Sequence, residues 1–288
     1  MFLMLLLMVI FILQSVAFIT LYERHLLGSS QVRLGPTKVS LMGFFQALLD
    51  GLKLLKKEQV LPIFVSDLSF VFVPGVSFFL MYFSWFLLPY FYGFVSLEFS
   101  LLFFLCLLGF SVYSTMISGY VSKSKYGMLG ALRASSQSVS YEIAFSIYLL
   151  CVMMMLGLLV LSVNSGFLFL FLCLPFFVMI VAELNRAPFD FAEGESELVS
   201  GYNVEFGSVS FVLLFLSEYG SLIFFVFYTL CCFLVFLFLW FFLIFTLLIF
   251  VRSSYPRYRY DLMMEMFWFK FLPVSLVFFL FFFLVGVL

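Results

Sequence analysis

The sequence predicts an all-α polytopic membrane protein with eight transmembrane helices plus an interfacial amphipathic helix in the first connector. Hydrophobic residues make up 66% of the 288 residues and charged residues only 10%, whereas soluble domains carry roughly a quarter charged residues. No soluble fold of this length buries so much apolar surface, which excludes a soluble enzyme or binding domain. Long apolar runs alternate with short charged stretches, and this alternation divides the chain into spans.

The spans are delimited by the charged residues. No charge precedes Glu23, and neither basic residues nor a small-residue cleavage site accompany the first apolar run, so we expect it to be retained as a span. The uncharged run 143–182 would be about 60 Å long at 1.5 Å per residue, enough for two crossings of a core of about 30 Å. The run 206–251, interrupted only by Glu218, also needs two crossings. The predicted spans, within one integral membrane domain 1–288, are about 2–22, 68–90, 99–121, 140–162, 166–184, 206–229, 231–251 and 267–288.

The first connector is predicted to contain an amphipathic helix at about 41–57. Its polar residues fall on one helical face, and it carries too much charge to cross the bilayer. We therefore expect it to lie in the membrane interface, with its apolar face on lipid, on neighbouring spans or on a partner protein. The apolar face consists of Leu41, Phe44, Phe45, Leu48, Leu49, Leu52 and Leu55.

Basic residues predict the orientation of the chain. All 14 Lys and Arg residues fall in the odd-numbered connectors or at their edges. The positive-inside rule places these connectors in the cytoplasm or its equivalent, the mitochondrial matrix. With eight spans, both termini are expected on the opposite side.

The fifth connector carries an acidic segment, 182–206, with Arg186 as its single basic residue. Crowded carboxylates raise one another's pKa values, and ionisable groups at a membrane boundary are often functional. The pattern indicates either coupled titratable acids or a solvated acidic loop. The acids, out of 15 in the chain, are Glu183, Asp190, Glu193, Glu195, Glu197 and Glu205.

Two further acids belong to predicted spans. Glu142 opens the fourth span, and Glu218 lies about three turns into the sixth. A charge at mid-membrane costs roughly 2.5–3.5 kcal/mol on the insertion scale. Glu218 is therefore protonated, paired or facing water, which indicates a proton or polar-ligand pathway or, alternatively, a structural hydrogen-bonded acid.

Several chemistries are not expected on this chain. The five cysteines lie within apolar runs and form no C-x-x-C pair, so a zinc or iron–sulfur site is not expected from this chain alone. His25 is the single histidine, whereas a membrane b-type haem usually takes two. There is no P-loop and no G-x-G-x-x-G after a strand, so nucleotide chemistry is expected in another chain.

Five segments resemble, in order along the chain, the signature segments of one family. The segments are YERHLLGSSQVRLGP, QALLDGLKLLKKE, SKYGMLGALRASSQSVSYE, AELNRAPFDFAEGESELVSGYNVEF and SSYPRYRYDLMMEMFWFKFLP. The family that they resemble is membrane subunit 1 of respiratory complex I, the proton-pumping NADH:ubiquinone oxidoreductase, in its mitochondrially encoded form.

The resemblance implies a multi-pass subunit of the mitochondrial inner membrane, at the heel of the membrane arm. With two peripheral subunits it would enclose the ubiquinone cavity, whose entrance lies between the first span, the interfacial helix and the sixth span. Ubiquinone would be the substrate, while NADH, FMN and iron–sulfur clusters would belong to partner subunits and no redox centre to this chain. Other membrane-arm subunits and phospholipids would be its neighbours, and no nucleic acid is implied.

The resemblance also assigns residues. The quinone-binding residues would be Arg24, Arg186, Phe189 and Asp190, with no catalytic residue or metal ligand on this chain alone. His25 departs from the family, which commonly has a lysine there. The acidic proton path would comprise Glu23, Asp50, Glu58, Glu142, Glu183, Glu193, Glu195, Glu197, Glu205 and Glu218.

Two alternative functions remain open from the sequence. One is a quinone-independent subunit of a related ion-translocating membrane complex. The other is a structural anchor for a peripheral arm, in which case the buried acids would be replaceable by amides without loss of turnover.

Overall fold

The computed structural model describes residues 2–62, 65–90, 97, 99–156, 170–191, 201–233 and 238–287. Throughout these residues the regular secondary structure is helical. Short 3-10 turns occur at Leu41–Gly43, Trp85–Leu87 and Gly201–Asn203, and a π-helical turn at Phe267–Phe271 joins the last two helices. The α-helices are α1 Phe2–Ser30, α2 Phe44–Lys56, α3 Asp67–Ser84, α4 Ser100–Val121, α5 Lys125–Leu156, α6 Leu170–Glu183, α7 Ser208–Phe233, α8 Phe238–Ser254, α9 Tyr260–Met266 and α10 Leu272–Val287.

Many of these helices are long and apolar enough to cross a bilayer. Of two shorter apolar helices, Leu172–Glu183 falls within the predicted fifth span, and Leu239–Ser254 overlaps the predicted seventh span and continues three residues beyond it. Each adjoins a stretch outside the described residues, so the count of eight spans stays a prediction, whereas the all-helical membrane class is confirmed. The long apolar segments are Leu5–Ser30, Asp67–Leu87, Ser100–Val121, Lys125–Met154, Ser208–Phe233 and Tyr260–Leu284.

Several helices extend beyond the predicted spans into the charged connectors. The first continues from the expected 2–22 to Ser30, and α5 begins at Lys125 rather than near 140. Glu, Lys and Arg are good helix formers, so a charge marks where a chain is expected to leave the bilayer without ending the helix. The charge pattern therefore underestimates helix length at these positions.

The amphipathic helix of the first connector is α2. It runs over Phe44–Lys56 after a 3-10 turn, close to the expected 41–57. Ala47 is buried, while apolar side chains such as Phe45, Leu49 and Leu52 are more than half exposed. Its position relative to a bilayer stays a prediction, but an exposed apolar face flanked by lysines is the form that an interfacial helix takes.

Aromatic side chains from different helices pack against one another in the core. Phe104 of α4 lies 4.9 Å from Tyr228 of α7, and Phe145 of α5 stacks on Phe176 of α6 at 5.2 Å, between ring centroids. A smaller cluster includes Phe70, Val121, Tyr202 and Phe206. The abundant phenylalanine thus fills the helix interfaces as well as facing outwards.

The close approach of α4 and α5 depends on one glycine. A Cβ atom on Gly119 would lie 2.1 Å from the Cβ of Ala131 and 2.9 Å from the carbonyl oxygen of Gly127. Only hydrogen fits in that space. This contact fixes α5, which carries several of the polar residues described below.

Candidate functional site

A cavity of about 150 Å³, called the polar cavity because charged and hydroxyl-bearing residues line part of its otherwise apolar wall, lies between α3, α4, α5, the end of α6 and α7. Its walls carry the carboxylates of Glu183 and Glu218 and the guanidinium of Arg186. Serine and threonine hydroxyls form much of the remaining polar lining, and several donate to carbonyls of their own helices, as Ser77 does to Pro74 at 2.7 Å. Such a hydroxyl keeps acceptor lone pairs for a further partner. The other hydroxyl-bearing residues of the lining are Ser84, Ser111, Ser114, Thr115, Ser138, Tyr141, Tyr202, Ser217 and Ser221.

Glu218 occupies the wall formed by α7. The Tyr202 hydroxyl, from the 3-10 turn before α7, donates a hydrogen bond of 2.6 Å to its Oε1 atom. The ring of Tyr202 is buried in the smaller hydrophobic cluster, so its hydroxyl is held in place. The acid is therefore both hydrogen-bonded and adjacent to a polar cavity, in agreement with the expectation that it is not an isolated charge.

A second pair of acids approaches the same cavity. Glu183, the last residue of α6, accepts a hydrogen bond from the buried Tyr141 of α5. Glu142, beside that tyrosine in the sequence, is close enough to interact electrostatically with Glu183. It also faces Gly109 of α4, whose Cβ position is 3.4 Å from Oε1 of Glu142. Glu142, Glu183 and Glu218 thus lie around one region of the helix bundle.

A buried charged cluster joins α1, α7 and α8. Glu23, 6% exposed, forms an ion pair with Arg252 at the end of α8 and accepts a hydrogen bond of 2.9 Å from the Tyr219 hydroxyl. The guanidinium carbon of Arg186 lies 4.4 Å from the centre of the Tyr219 ring, a cation–π contact. Because Arg186 also lines the polar cavity, these contacts extend from α1 to that cavity.

The segment that carries Arg186 is anchored from two sides. Gln137 of α5 donates hydrogen bonds to the carbonyls of Ala182, at 3.2 Å, and Phe189, at 3.0 Å. Asp190 pairs with Arg257 at 3.2 Å. Phe189 is 3% exposed and stacks on Tyr258 at 5.4 Å between ring centroids. Phe189 and Asp190, which the resemblance assigns to the quinone site, are thus engaged in holding this segment in place.

The other predicted site residues are distributed more widely. Arg24 and Asp50 form an ion pair of 2.8 Å that links α1 to α2, with both side chains nearly half exposed. Glu58 and Glu205 are exposed and line neither the polar cavity nor a second, apolar cavity between α1, α7 and α8. Glu193, Glu195 and Glu197 lie outside the described residues. Only part of the predicted acidic path is therefore brought together by the described residues.

A second cavity, of about 600 Å³, is almost wholly apolar. It lies between α1, α7 and α8, and Trp85 borders it. Its size is that of a small-ligand site, which typically spans about 300–1,000 Å³. Tyr22 and His25 of α1 also line it, immediately beside Glu23 of the charged cluster. The remaining lining is mostly aromatic: Phe11, Ile12, Ser15, Phe18, Ile19, Leu21, Ile223, Phe227, Phe241, Phe242 and Phe245.

Sequence reasoning missed the partners of the buried acids. Arg252 was expected on the same side as the acids and able to pair with one of them, but no particular acid was predicted, and its ion pair with Glu23 joins residues 229 positions apart. The tyrosines carried a weak signal, since Tyr141 precedes Glu142 and Tyr219 follows Glu218. In both cases, however, the tyrosine binds an acid on another element, which adjacency in the sequence could not indicate.

These features define a class of protein: a multi-span helical membrane protein with a carboxylate-lined polar cavity beside an apolar one. The sequence model of the NADH dehydrogenase family matches residues 3–283. The chain belongs to this family, which confirms the resemblance seen in the motifs.

Relatives named NADH-ubiquinone oxidoreductase chain 1 match nearly the whole chain. The protein of Artemia franciscana is 42% identical over 286 residues, covering 96% of this chain and 96% of the relative. That of Heterololigo bleekeri is 42% identical and covers 91% of this chain and 89% of the relative. That of Zaedyus pichiy is 41% identical, with coverage of 93% and 91%.

Proposed function

We propose that this chain is a core membrane subunit of the proton-pumping NADH:ubiquinone oxidoreductase of the mitochondrial inner membrane. In that complex it forms the access route and part of the cavity for ubiquinone, and part of the acidic path that couples quinone reduction to proton translocation. The observation that carries the proposal is the pairing of an apolar cavity with a carboxylate-lined one, linked through Glu23, Tyr219 and Arg186.

The apolar cavity supports the quinone part of the proposal. A ubiquinone carries a long isoprenoid tail, and aromatic and aliphatic walls favour such a chain because its burial removes apolar surface from water. The adjacent cations and hydroxyls provide groups that orient a polar headgroup. We assign headgroup positioning to Arg24 and Arg186, and the shaping of the deeper wall to Phe189 and Asp190.

The polar cavity supports the proton-path part. Glu142, Glu183 and Glu218 lie near hydroxyl groups, and a hydroxyl can both donate and accept a hydrogen bond, which is what a proton relay between carboxylates requires. We include Glu23, at the link between the cavities, in this path. Asp50, Glu58, Glu193, Glu195, Glu197 and Glu205 would extend it along the matrix-facing connectors.

Electron transfer is assigned to partner subunits. NADH, FMN and iron–sulfur clusters would supply electrons from the peripheral arm, and this chain would bind and orient the quinone and hold protons at its carboxylates. The exposed polar connectors on one face offer a docking surface for that arm, and the exposed apolar helix faces offer surfaces for lipid and other membrane-arm subunits.

Photolabelling in the assembled complex tests the quinone assignment. The probe is a ubiquinone analogue with a photoreactive group on its tail. We expect label on the peptides of α1 and α8 that line the apolar cavity, and we expect excess ubiquinone to compete with it. Peptides of α10, whose Phe281 is 49% exposed, serve as the control for non-specific labelling from lipid. Label that excess ubiquinone leaves unchanged on every peptide of this chain would refute the assignment.

The two alternatives make different predictions. A quinone-independent subunit would carry no label that excess ubiquinone reduces. A structural anchor would tolerate amides in place of the acids, so the Glu193→Gln, Glu195→Gln, Glu197→Gln triple variant would assemble with normal turnover and normal proton yield. The proposed function predicts instead that turnover and proton translocation fall together in a complex that still assembles.

A further inference from the structure

The connector between α1 and α2 folds back tightly onto the end of α1. The amide of Arg33 donates a hydrogen bond of 2.9 Å to the carbonyl of Gly28. A Cβ atom on Gly28 would lie 3.1 Å from the backbone nitrogen of Gly35, and one on Gly35 would lie 2.4 Å from Nδ1 of His25. The absence of side chains at both glycines lets the connector reach the imidazole ring.

The imidazole also holds the start of α2. Nε2 of His25 lies 3.0 Å from the carbonyl oxygen of Met42, and because a carbonyl only accepts, this nitrogen donates. Met42 belongs to the 3-10 turn before α2 and has a φ of 53°, a left-handed conformation that costs free energy in a residue with a side chain. Gly43, the next residue, has a φ of 72°. The hydrogen bond from His25 therefore restrains a strained turn.

The same ring lines the apolar cavity. His25 borders it together with Phe18, whose ring lies 4.9 Å from that of Phe44, the first residue of α2. A further polar contact, between α1 and α2, is the Arg24–Asp50 pair, and its exposure leaves it screened by solvent. The beginning of α2 and the edge of the cavity are thus joined at His25.

We propose that His25 is a positioning residue that fixes the start of α2 against α1 and so sets the mouth of the apolar cavity. Neutral imidazole with its proton on Nε2 and the imidazolium cation both donate from that nitrogen, so the role does not need a fixed charge. The proposal rests on the proposed function in one respect: the cavity must admit the quinone tail for the mouth to affect activity.

The test compares variants of the assembled complex in which the contact is lost in two ways. His25→Ala removes the ring, and Gly35→Ala leaves the ring but places a methyl carbon 2.4 Å from Nδ1, so the ring must shift. Gly51→Ala is the matched control, since a Cβ there meets nothing within 4 Å. His25→Gln restores a side-chain N–H donor and is the rescue variant.

The first readout is hydrogen–deuterium exchange in segment 36–44, which reports the restraint independently of activity. We expect exchange about fivefold faster in His25→Ala and Gly35→Ala, the factor that loss of one net hydrogen bond implies, with Gly51→Ala unchanged and His25→Gln near wild type. Unchanged exchange in both loss variants would overturn the proposal. Gly35→Ala keeps the test decisive if His25→Ala does not assemble.

The second readout is the KM for long-tailed relative to short-tailed quinones. We expect this ratio to change in the same two variants and to stay at the wild-type value in Gly51→Ala. Faster exchange with an unchanged KM ratio would overturn the proposal that His25 sets the mouth of the apolar cavity. Photolabelling of the wild-type cavity, with competition by excess ubiquinone, is measured separately. A failure of the proposal for His25 can therefore be distinguished from a failure of the quinone assignment.

Discussion

Tyrosine hydroxyls donate hydrogen bonds to three of the carboxylates assigned to the acidic path. Tyr202 binds Glu218, Tyr219 binds Glu23 and Tyr141 binds Glu183. A tyrosine supplies one hydrogen bond without adding a second charge, so the acid is solvated by the protein but keeps its capacity to exchange a proton. A cation in the same place would hold the acid ionised much more strongly. A neutral donor therefore suits an acid that is meant to change protonation state, as proposed for Glu183 and Glu218, whereas Glu23 also has the cation of Arg252 beside it.

Replacing Tyr202 by phenylalanine tests this role for Glu218. The substitution removes only the hydroxyl, at a net cost of about 1 kcal/mol, so the complex should assemble. We expect turnover with NADH and ubiquinone to fall several-fold, together with proton translocation. Tyr113→Phe on the outer face of α4, where the side chain is 62% exposed, is the matched control. Wild-type turnover and proton yield in Tyr202→Phe would contradict the role.

The Glu23–Arg252 ion pair differs from the tyrosine–carboxylate contacts because both partners are charged and one of them, Glu23, is buried. Arg252→Met would leave the Glu23 carboxylate without its counter-ion, a change that costs about 3–5 kcal/mol in buried pairs. We expect a marked loss of assembled complex, measured by native gel electrophoresis. Arg259→Met should have little effect, since Arg259 and its partner Asp261 are 79% and 71% exposed.

The double variant separates charge from packing. In Glu23→Gln, Arg252→Met no buried charge is left without a partner, so assembly should recover relative to Arg252→Met alone. Equal loss of assembly in the single and double variants would show that the arginine stem, rather than its charge, holds α8 in place.

At the scale of elements, the α4–α5 interface is set by sterics. Adding one methyl group at Gly119 forces it into Ala131, and overpacking of this kind typically costs about 1–3 kcal/mol. We expect Gly119→Ala to lower the temperature at which the complex loses this subunit. Gly75→Ala in α3, where a Cβ meets nothing within 4 Å, should leave that temperature unchanged. Ala131→Gly in the same chain should restore part of the loss, and its failure to do so would point to the Gly127 carbonyl as the obstacle.

Apolar runs and helical spacing predicted the element types well. The amphipathic pattern placed α2 within a few residues of Phe44–Lys56, because its two faces differ in polarity over the whole helix. Helix ends were harder to predict. Charged residues such as Glu23 in α1 and Arg133 in α5 continue a helix without difficulty, so the charge pattern reports solvation rather than backbone geometry.

The candidate site was predictable only in its acids. A carboxylate inside an apolar run is costly, so Glu142 and Glu218 were visible from the sequence. The partners of the acids were not visible, because they lie far away in the sequence. The contacts of Glu23, for example, join α1 to α7 and to α8, near the other end of the chain. The apolar cavity had no sequence signal either, because the same phenylalanines serve equally for lipid-facing surface, core and cavity wall.

At the scale of the whole molecule, polar and apolar parts are segregated along the helix axes. The charged ends of α1, α2, α5 and α8 and the turn carrying Arg186 all belong to the connectors that the sequence predicts to be odd-numbered. The Glu23–Arg252 pair and the Arg24–Asp50 pair join three of these helices at the same end. The contacts therefore agree with the assignment of these connectors to one face of the membrane.

Cysteine labelling in sealed mitochondria tests whether this face of the membrane is exposed to the matrix. Val32 of the first connector is 96% exposed and the Arg259 side chain of the seventh is 79% exposed. We expect Val32→Cys and Arg259→Cys to react with a membrane-impermeant maleimide only after the inner membrane is opened and the peripheral arm removed. Leu97→Cys, in the second connector, should react in mitochondria whose outer membrane alone has been opened. The unsubstituted chain, whose native cysteines lie in helices, supplies the background. Reaction of Val32→Cys from the outer side would show that the orientation is the reverse of the proposed one. The acidic connector and the whole proton path would then lie on the side of the intermembrane space.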